Sequence, residues 1–298
     1  MNLKQITTQF IQQHLKLQPK DSHKSQNGKL TIIGGSKLFH GASLWALKIA
    51  SRIVDMVYYI SVPQNQVLTE YLKKNLYSFI SVPRGKEEEY MAESDGILIG
   101  PGMVRGSSLY TGTGESGKQT KQTTLKYFKK FSNKQWIIDA GALQAITTKD
   151  LQQLNHPIIT PHQGEFQKLF PDISSQQAFV SPTKNSDSTR CQAKLVQQAA
   201  QKIGGTIVLK GPTDIIASPD QVIINQAGNE GMTKGGTGDV LAGLIAALAC
   251  THNPFTAAAI GSYLNGQAGD HLYKTVGPYF SADDLCNQVP KTLWENIQ

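Results

Sequence analysis

The sequence predicts an α/β fold with one mostly parallel central sheet and helices on both of its faces. Short apolar runs of strand length alternate with helical patterns from residue 29 to residue 211. Repeated alternation of this kind is typical of parallel sheets that bury both faces. The segment DIIASPDQVIIN (214–225) predicts a hairpin around Pro219-Asp220, and therefore an antiparallel edge. The pattern is mainly helical from Asp239 onward, and we expect a single domain over residues 1–298.

The individual strands and helices follow one another in a regular order. The predicted strands are KLTIIGG (29–35), MVYYISV (56–62), DGILIGPG (95–102), QWIIDAGAL (135–143), HPIITPHQGEF (156–166, turning into a helix) and TIVLKG (206–211). Helical periodicity occupies residues 41–53, 64–75, 122–131 and 191–205, and the last of these helices is closed by a glycine pair.

Composition and charge narrow the classes of function. The formal charge is +7, which suits nucleic acid, an anionic membrane or an anionic small substrate. The lysines are scattered, however, and no zinc-finger, RRM or helix-turn-helix pattern is present, so we expect no nucleic-acid partner. The start of the chain has no apolar core typical of a signal peptide, and the longest apolar run (240–250) is too short to span a bilayer. Three widely spaced cysteines form no metal or disulfide pattern, and we expect a cytoplasmic protein.

The stretch TGTGESGKQT (111–120) nearly spells a phosphate-binding P-loop. Gln119 stands where a P-loop has the Ser or Thr that holds Mg²⁺. The preceding strand ends at Gly100, and residues 101–110 intervene, whereas a P-loop follows its strand at once. We therefore interpret residues 103–118 as an enlarged loop bordering the substrate, with Ser116 or Thr120 capping the next helix.

Unusual residues follow several of the predicted strands. Because ligands gather at the carboxyl ends of parallel strands, we expect these residues to share one rim of the sheet. They are Gly34-Gly35-Ser36, Gly100-Pro101-Gly102, Asp139, Pro161-His162-Gln163-Gly164-Glu165 and Lys210-Gly211.

The sharpest chemical signal is the glycine-rich stretch before the last group of helices. Gly235, Gly236, Thr237 and Gly238 precede a helical run, where unpaired backbone N–H groups and the helix dipole favour an anion. Asp239 is a simple helix cap on one interpretation. On the other, it takes a proton from a hydroxyl that attacks a bound phosphate.

The segment GNEGMTKGGTGDVLAG (228–243) resembles the signature of the ADP/ATP-dependent NAD(P)H-hydrate dehydratases, a branch of the ribokinase-like superfamily. The resemblance covers nearly the whole chain, and it implies a ribokinase-like fold. The other segments that carry it, in order, are HKSQNGKLTIIGGSKLFHGA (23–42), ILIGPGM (97–103), IIDAGAL (137–143), ITPHQGEFQKL (159–169) and VLKGPTDIIASPD (208–220).

This resemblance implies a repair reaction on hydrated NADH and NADPH (NADHX and NADPHX). An adenine nucleotide, ADP or ATP, phosphorylates the added hydroxyl, and phosphate then leaves to restore the dihydropyridine. The family further implies Mg²⁺ on the nucleotide phosphates, with no dedicated protein metal site, and a homo-oligomer, often a tetramer. An epimerase domain is often fused in front of the dehydratase, and residues 1–22 are too few for one.

The resemblance also assigns roles by position. Asp239 is the expected base, and Gly236, Thr237 and Gly238 are expected to hold the transferring phosphate. Ala42, Gly102 and His162 match positions that contact the hydrated cofactor together with Asp239. Glu165 caps the following helix or orients His162, and we favour the cap. The expected nucleotide-binding residues are Lys210, Gly211, Pro212, Thr213 and Asp214, together with Gly238.

The sequence leaves some alternatives open. The family usually has a second Asp where this chain has Gly141. A kinase of the same superfamily, acting on a vitamin precursor or a sugar, would use the same base and the same glycines. A non-catalytic nucleotide-binding protein is a second alternative. The choices between ADP and ATP, and between NADHX and NADPHX, stay open at this stage.

Overall fold

A computed structural model describes residues 3–62, 65–74, 76–106, 116–175 and 186–298. Ten strands form one sheet in the order β1-β10-β9-β8-β7-β6-β5-β2-β3-β4. The strands are β1 (Lys4–Gln5), β2 (Lys29–Ile33), β3 (Met56–Ile60), β4 (Ile80–Ser81), β5 (Gly96–Ile99), β6 (Gln135–Ile138), β7 (Ile158–Ile159), β8 (Thr206–Leu209), β9 (Asp214–Ala217) and β10 (Val222–Asn225).

The sheet is mostly parallel, as the sequence predicts. Among the strands of the described residues, β9 alone runs antiparallel to its neighbours β8 and β10. The predicted hairpin is therefore confirmed, but its predicted place at the edge is wrong. Lys4 and Gln5 pair in parallel with β10 and cover it. A strand of two residues is too short to show a hydrophobic period, so the sequence carried no signal for it.

Helices lie on both faces of this sheet. The helices are α1 (Thr8–His14), α2 (His40–Ala50), α3 (Asn65–Leu72), α4 (Glu87–Glu93), α5 (Gly117–Lys130), α6 (Ala140–Ala145), α7 (Thr148–Leu151), α8 (Gln163–Leu169), α9 (Pro171–Ser174), α10 (Ser186–Ile203), α11 (Thr237–Ala249), α12 (Pro254–Val276) and α13 (Ala282–Glu295), with a short 3₁₀ helix at Glu230–Thr233. No helix in the described ranges is both long enough and apolar enough to cross a membrane.

Two apolar cores explain why the central strands are hydrophobic at successive positions. Leu98 points into a core formed with α2, α11, α12 and α13. Its neighbours Ile97 and Ile99 point into a second core, formed with α5, α6, α8 and α10. Both faces of β5 are thereby buried, as in other parallel sheets. Helix α11 packs closely on α2 because Gly243 brings the backbone of Ala46 against it.

The P-loop-like stretch begins α5 and contributes a helix cap. The Ser116 hydroxyl accepts from the Gln119 amide at 3.3 Å, and the Gln119 side chain accepts from the Ser116 amide at 3.1 Å. This capping box confirms Ser116, rather than Thr120, as the N-cap. Gln119, which breaks the P-loop pattern, is the reciprocal partner. The remainder of the predicted loop, residues 107–115, lies outside the described residues.

Candidate active site

The residues that follow the parallel strands lie side by side on one rim. Ile33 of β2 is level with Ile99 of β5, which is level with Ile138 of β6. The same register continues through Ile159 to Ile207. The next residues along each strand therefore emerge together, and an isolated bridge pairs His162 with Lys210. The predicted convergence of the strand ends is confirmed.

A buried ion pair lies in the middle of this rim. The Lys210 ammonium donates to Asp139 Oδ1 at 3.0 Å, and the Thr160 hydroxyl donates to the same oxygen at 2.8 Å. The Asp139 side chain is 3% exposed and that of Lys210 is 21% exposed. Burial alone would lower the pKa of Lys210, but the nearby carboxylates, Asp139 before Glu165, outweigh it and raise that pKa. Lys210 is thus a firmly charged cation at the rim.

The glycine-rich stretch, residues 235–238, forms the anion loop at the start of α11. Gly236 is the N-cap residue with φ of 99°, a left-handed conformation that favours glycine. A side-chain carbon at Gly238 would lie 3.6 Å from the Lys210 ammonium, which places that cation against the loop. The Thr237 hydroxyl donates to the Met232 carbonyl at 2.6 Å. Its side chain therefore shapes the loop, and an anion is left to the backbone amides of the first helical turn.

Asp239 lies in that first turn, in an environment that favours its protonated form. Burial is the largest cause, and the charge of Asp139 adds to it. Lys210 and Arg105 act in the opposite direction, and the resulting pKa of Asp239 is about 7. A carboxyl with this pKa can accept a proton near neutral pH, as a general base must.

Two glycines near the rim are required by internal packing. Gly102 has φ of 73°, and a side-chain carbon there would lie 2.1 Å from the Phe39 carbonyl oxygen. A side-chain carbon at Gly141 would lie 2.2 Å from the Met103 carbonyl oxygen. The Asp that the resemblance leads us to expect at position 141 would not fit beside this backbone. Ala42 lies half-buried in the first turn of α2. Together with Gly102 and His162, it is one of the three residues expected to contact the hydrated cofactor besides Asp239.

His162 and Glu165 form a reciprocal cap at the start of α8. His162 Nδ1 accepts from the amides of Gly164, at 3.0 Å, and Glu165, at 3.3 Å. Glu165 accepts from the His162 amide at 3.0 Å, which agrees with the capping role favoured from the sequence. Because Nδ1 is an acceptor, the ring proton lies on Nε2, on a side chain that is 55% exposed. The Nε2 atom lies 3.6 Å from Glu165 Oε1, so the carboxylate of Glu165 is the neighbour of this N–H group.

The predicted nucleotide segment, residues 210–214, is held in shape by its last residue. Asp214 accepts from the Gly211 amide at 3.0 Å and from the Ser262 hydroxyl at 2.7 Å. Burial raises the pKa of Asp214. Both of its carboxylate oxygens bind the protein itself, while Gly211 and Pro212 remain exposed. The surface available to a nucleotide here is therefore mainly backbone.

Several residues of the site have no role that the sequence predicts. The sequence predicts a place for Asp139 on the rim, after a strand and within the segment IIDAGAL (137–143), but it indicates no role for the side chain. Thr160 lies in the segment ITPHQGEFQKL (159–169) and Arg105 in the predicted loop 103–118, but neither pattern indicates a role for the side chain. Trp45 packs on Gly236 from α2, a contact that no local pattern foretells. Within the described ranges, no group of three or more His, Cys, Asp or Glu side chains could hold a metal ion.

Comparison with known proteins gives a consistent set of relatives. The family model described as NAD(P)H-hydrate dehydratase matches residues 30–291. The ADP-dependent (S)-NAD(P)H-hydrate dehydratase of Cenarchaeum symbiosum is 31% identical over 92% of this chain and 91% of its own. The bifunctional NAD(P)H-hydrate repair enzyme of Methanocaldococcus jannaschii is 32% identical over 94% of this chain, which spans 50% of that relative. The ADP/ATP-dependent NAD(P)H-hydrate dehydratase of Bacillus subtilis, co-crystallised with ATP/Mg²⁺, has a TM-score of 0.78 and 25% identity, with 100% of both chains covered.

Proposed function

Because the chain belongs to the NAD(P)H-hydrate dehydratase family, we propose that it repairs hydrated NADH and NADPH with an adenine nucleotide as phosphoryl donor. The observation that carries this proposal is the position of Asp239, whose pKa is about 7: it directly follows the anion loop and is influenced by the charge of Lys210. The enzyme is accordingly a hydro-lyase with a ribokinase-like fold.

The reaction proceeds in two balanced stages. The added hydroxyl attacks the terminal phosphorus of ADP or ATP, its proton passes to Asp239, and AMP or ADP leaves. The lone pair of the ring nitrogen then expels phosphate as the carbon–oxygen bond breaks. Loss of a proton from the neighbouring carbon restores the ring double bond. Phosphorylation is needed because phosphate is a far better leaving group than hydroxide.

Each side of the site has a distinct task in the first stage. The amides at the start of α11 stabilise charge on the transferring phosphoryl group, within the stretch that contains Gly236, Thr237 and Gly238. Lys210 adds a positive charge next to Gly238 and completes the nucleotide segment that continues to Asp214. We expect Ala42, Gly102 and His162 to contact the hydrated cofactor, as the family resemblance implies.

Mg²⁺ is expected to accompany the nucleotide. The described residues offer no cage of three or more metal-binding side chains, so the nucleotide phosphates would supply most of the ligands of the ion. When bound, the ion neutralises phosphate charge. We assign no step of the reaction to it.

The remaining properties follow from the family. We place the protein in the cytoplasm, where the nicotinamide cofactors are used, and we expect a homo-oligomer, with a tetramer as the first candidate. Light scattering after size-exclusion chromatography would measure the number of subunits, and a monomer at working concentration would contradict this expectation.

The decisive experiment is a repair assay. The protein is mixed with NADHX or NADPHX, Mg²⁺ and either ADP or ATP, and the return of dihydronicotinamide absorbance is followed. We expect recovery that depends on the nucleotide and releases phosphate. No recovery with either nucleotide, beside an active relative in the same buffer, would refute the proposal. A phosphorylated product that accumulates from a vitamin precursor or a sugar would instead favour the kinase.

A further inference from the structure

Lys234 directly precedes the anion loop, and its position in the sequence suggests a phosphate-binding cation. Its ammonium group instead donates to backbone carbonyls in the connection between α12 and α13. One acceptor is the Pro278 carbonyl, and the other is the Phe280 carbonyl at 2.7 Å. The ammonium also lies 5.4 Å from the centre of the Phe280 ring. Since a lysine ammonium has three protons, two of them are already engaged in this connection.

The same connection contacts the loop region at further points. The edge of the Phe280 ring packs on Gly231, where a side-chain carbon would lie 2.5 Å from Cε1. Ala282 packs on Gly236, where the corresponding distance to its Cβ would be 2.7 Å. We call residues 278–283 the brace. The brace therefore contacts Gly231 and Lys234, which precede the anion loop, and Gly236 within the loop.

Trp45 of α2 completes the support beneath Gly236. A side-chain carbon on Gly236 would lie 2.6 Å from Trp45 Cε3, so the indole ring packs directly on the loop backbone. The ring is held in turn by its N–H, which donates to Asp283 Oδ2 at 3.1 Å. Lys48 donates to the other oxygen of Asp283 at 2.7 Å. Gly236 thus lies between an indole ring and the brace that orients this ring.

On the basis of the function proposed above, we propose that Lys234 and the brace are positioning elements, which hold the backbone amides of the anion loop where the transferring phosphoryl group needs them. Lys234 does not bind the nucleotide. The cation that faces the loop is Lys210, which reaches it at Gly238 from β8. Displacement of catalytic groups by about 1 Å can cost on the order of 100-fold in rate, so such a brace affects turnover more than binding.

The test compares Lys234→Met with Lys234→Arg, and uses Lys291→Met, at an exposed lysine of α13, as the control. In Lys234→Met we expect kcat to fall about tenfold or more, while the Kd values for ADP and for adenosine change less than about threefold. Lys234→Arg, which keeps donors for the two carbonyls, should recover much of the lost rate. Lys291→Met should match the native chain.

Amide hydrogen exchange supplies a readout that does not depend on turnover. The amides of residues 235–239 should exchange faster in Lys234→Met than in the native chain, because the brace no longer restrains them. This measurement and ADP binding remain decisive if the native chain fails the repair assay. Trp45→Phe, which removes the bond to Asp283, should show the same direction of change if Lys234→Met does not fold.

Two results would overturn the inference. If Lys234→Met weakens ADP about tenfold or more and leaves adenosine unchanged, Lys234 binds phosphate directly. If kcat and the exchange rates of the loop amides both stay at native values, the brace does not position the loop.

Discussion

The two sides of the anion loop are built on different physical principles. On the side of the sheet, Lys210 presents a charge that is fixed by a buried partner, Asp139, and lies next to Gly238. On the side of α12 and α13, the ammonium group of Lys234 donates to the carbonyls of Pro278 and Phe280. Lys210 contributes a positive charge beside the loop, whereas Lys234 supports the backbone conformation of the loop.

This difference shows how little the position of a residue along the chain reveals about its task. Lys234 is adjacent to the anion loop in sequence, whereas Lys210 lies more than twenty residues before it. The distant lysine faces the loop because a parallel sheet brings strand ends and helix starts to the same rim. Variants on the two sides should therefore fail in different ways.

The largest effect is expected from removing the base on the charged side. Asp239→Asn should lower turnover about 1000-fold, because the neutral amide cannot accept the hydroxyl proton. Binding of ADP should be retained, since the amide also removes a negative charge next to the phosphates. The repair assay measures the first quantity and titration calorimetry the second. Unchanged turnover would show that Asp239 is only a helix cap.

Stability provides the control for this variant. The pKa of Asp239 is raised from 3.8 to about 7, so the folded protein holds a proton that the unfolded chain has already lost. The contribution of Asp239 to the free energy of unfolding is therefore greatest below about pH 4, and it falls as the pH rises towards 7. Asp239→Asn has no such cost. Its unfolding midpoint should exceed that of the native chain by more at pH 8 than at pH 5.

A smaller effect is expected from removing the charge that faces the loop. Lys210→Met should weaken ADP binding about tenfold, because a cation beside the phosphates is lost. It should also lower the free energy of unfolding by about 3 kcal/mol, since the Asp139 carboxylate stays buried without its partner. Denaturant titration measures the second effect.

The double variant Lys210→Met/Asp139→Asn separates these two effects. It should regain much of the lost stability, because the buried charge is gone, but it should not regain the affinity for ADP. Native affinity in either variant would contradict the electrostatic role of Lys210.

Substitutions at two neighbouring glycines test the side of the loop that packs on Trp45 and Ala282. Gly236→Ala should destabilise the protein by about 2 kcal/mol, because φ of 99° strains alanine and its methyl group would meet Trp45 and Ala282. Gly235→Ala is the matched control, since a side-chain carbon there meets open space. Its free energy of unfolding should stay within about 0.5 kcal/mol of the native value. Equal losses in the two variants would contradict the packing described for Gly236.

The pH dependence of turnover should also differ between variants on the two sides of the loop, although these effects are smaller. Turnover in the native chain should rise as the pH passes through about 7, where Asp239 loses its proton. Asp139→Asn removes a negative neighbour and should move this acid limb to lower pH. Lys210→Met removes a positive neighbour and should move it to higher pH. Lys234→Met should leave the midpoint in place, although it lowers the rate. Equal midpoints in all four proteins would exclude Asp239 as the titrating group.

The smallest effect on ADP binding is expected from substitution of Lys118, a third lysine that is adjacent to a glycine in the sequence. Lys118, which follows Gly117 in the P-loop-like stretch, lies exposed in the first turn of α5. Lys118→Met should change the Kd for ADP by less than about twofold, because this stretch caps a helix. A large loss of ADP affinity would restore the P-loop interpretation.

Much of the fold could be predicted because its signals are local. Buried strands such as β3 and β5 are continuous apolar runs, and the Pro219-Asp220 turn marks the hairpin of β9 and β10. The sequence does not predict the two-residue strands β1 and β4, since pairing with a neighbour rather than their own composition makes them strands. Helix α10 begins at Ser186, five residues before the predicted start, because polar residues at a helix end carry no hydrophobic period.

The sequence by itself determined the alternation of strands and helices, the rim on which their ends meet, and the glycine loop with the acid that follows it. Each of these depends on residues that are close together in the chain. Only the tertiary structure decided that Lys210 faces the loop, that Lys234 holds the brace, that Gly102 and Gly141 are required by backbone contacts, and that the pKa of Asp239 is about 7. Burial, charge and close contact are properties of distant segments brought together, so no local pattern encodes them.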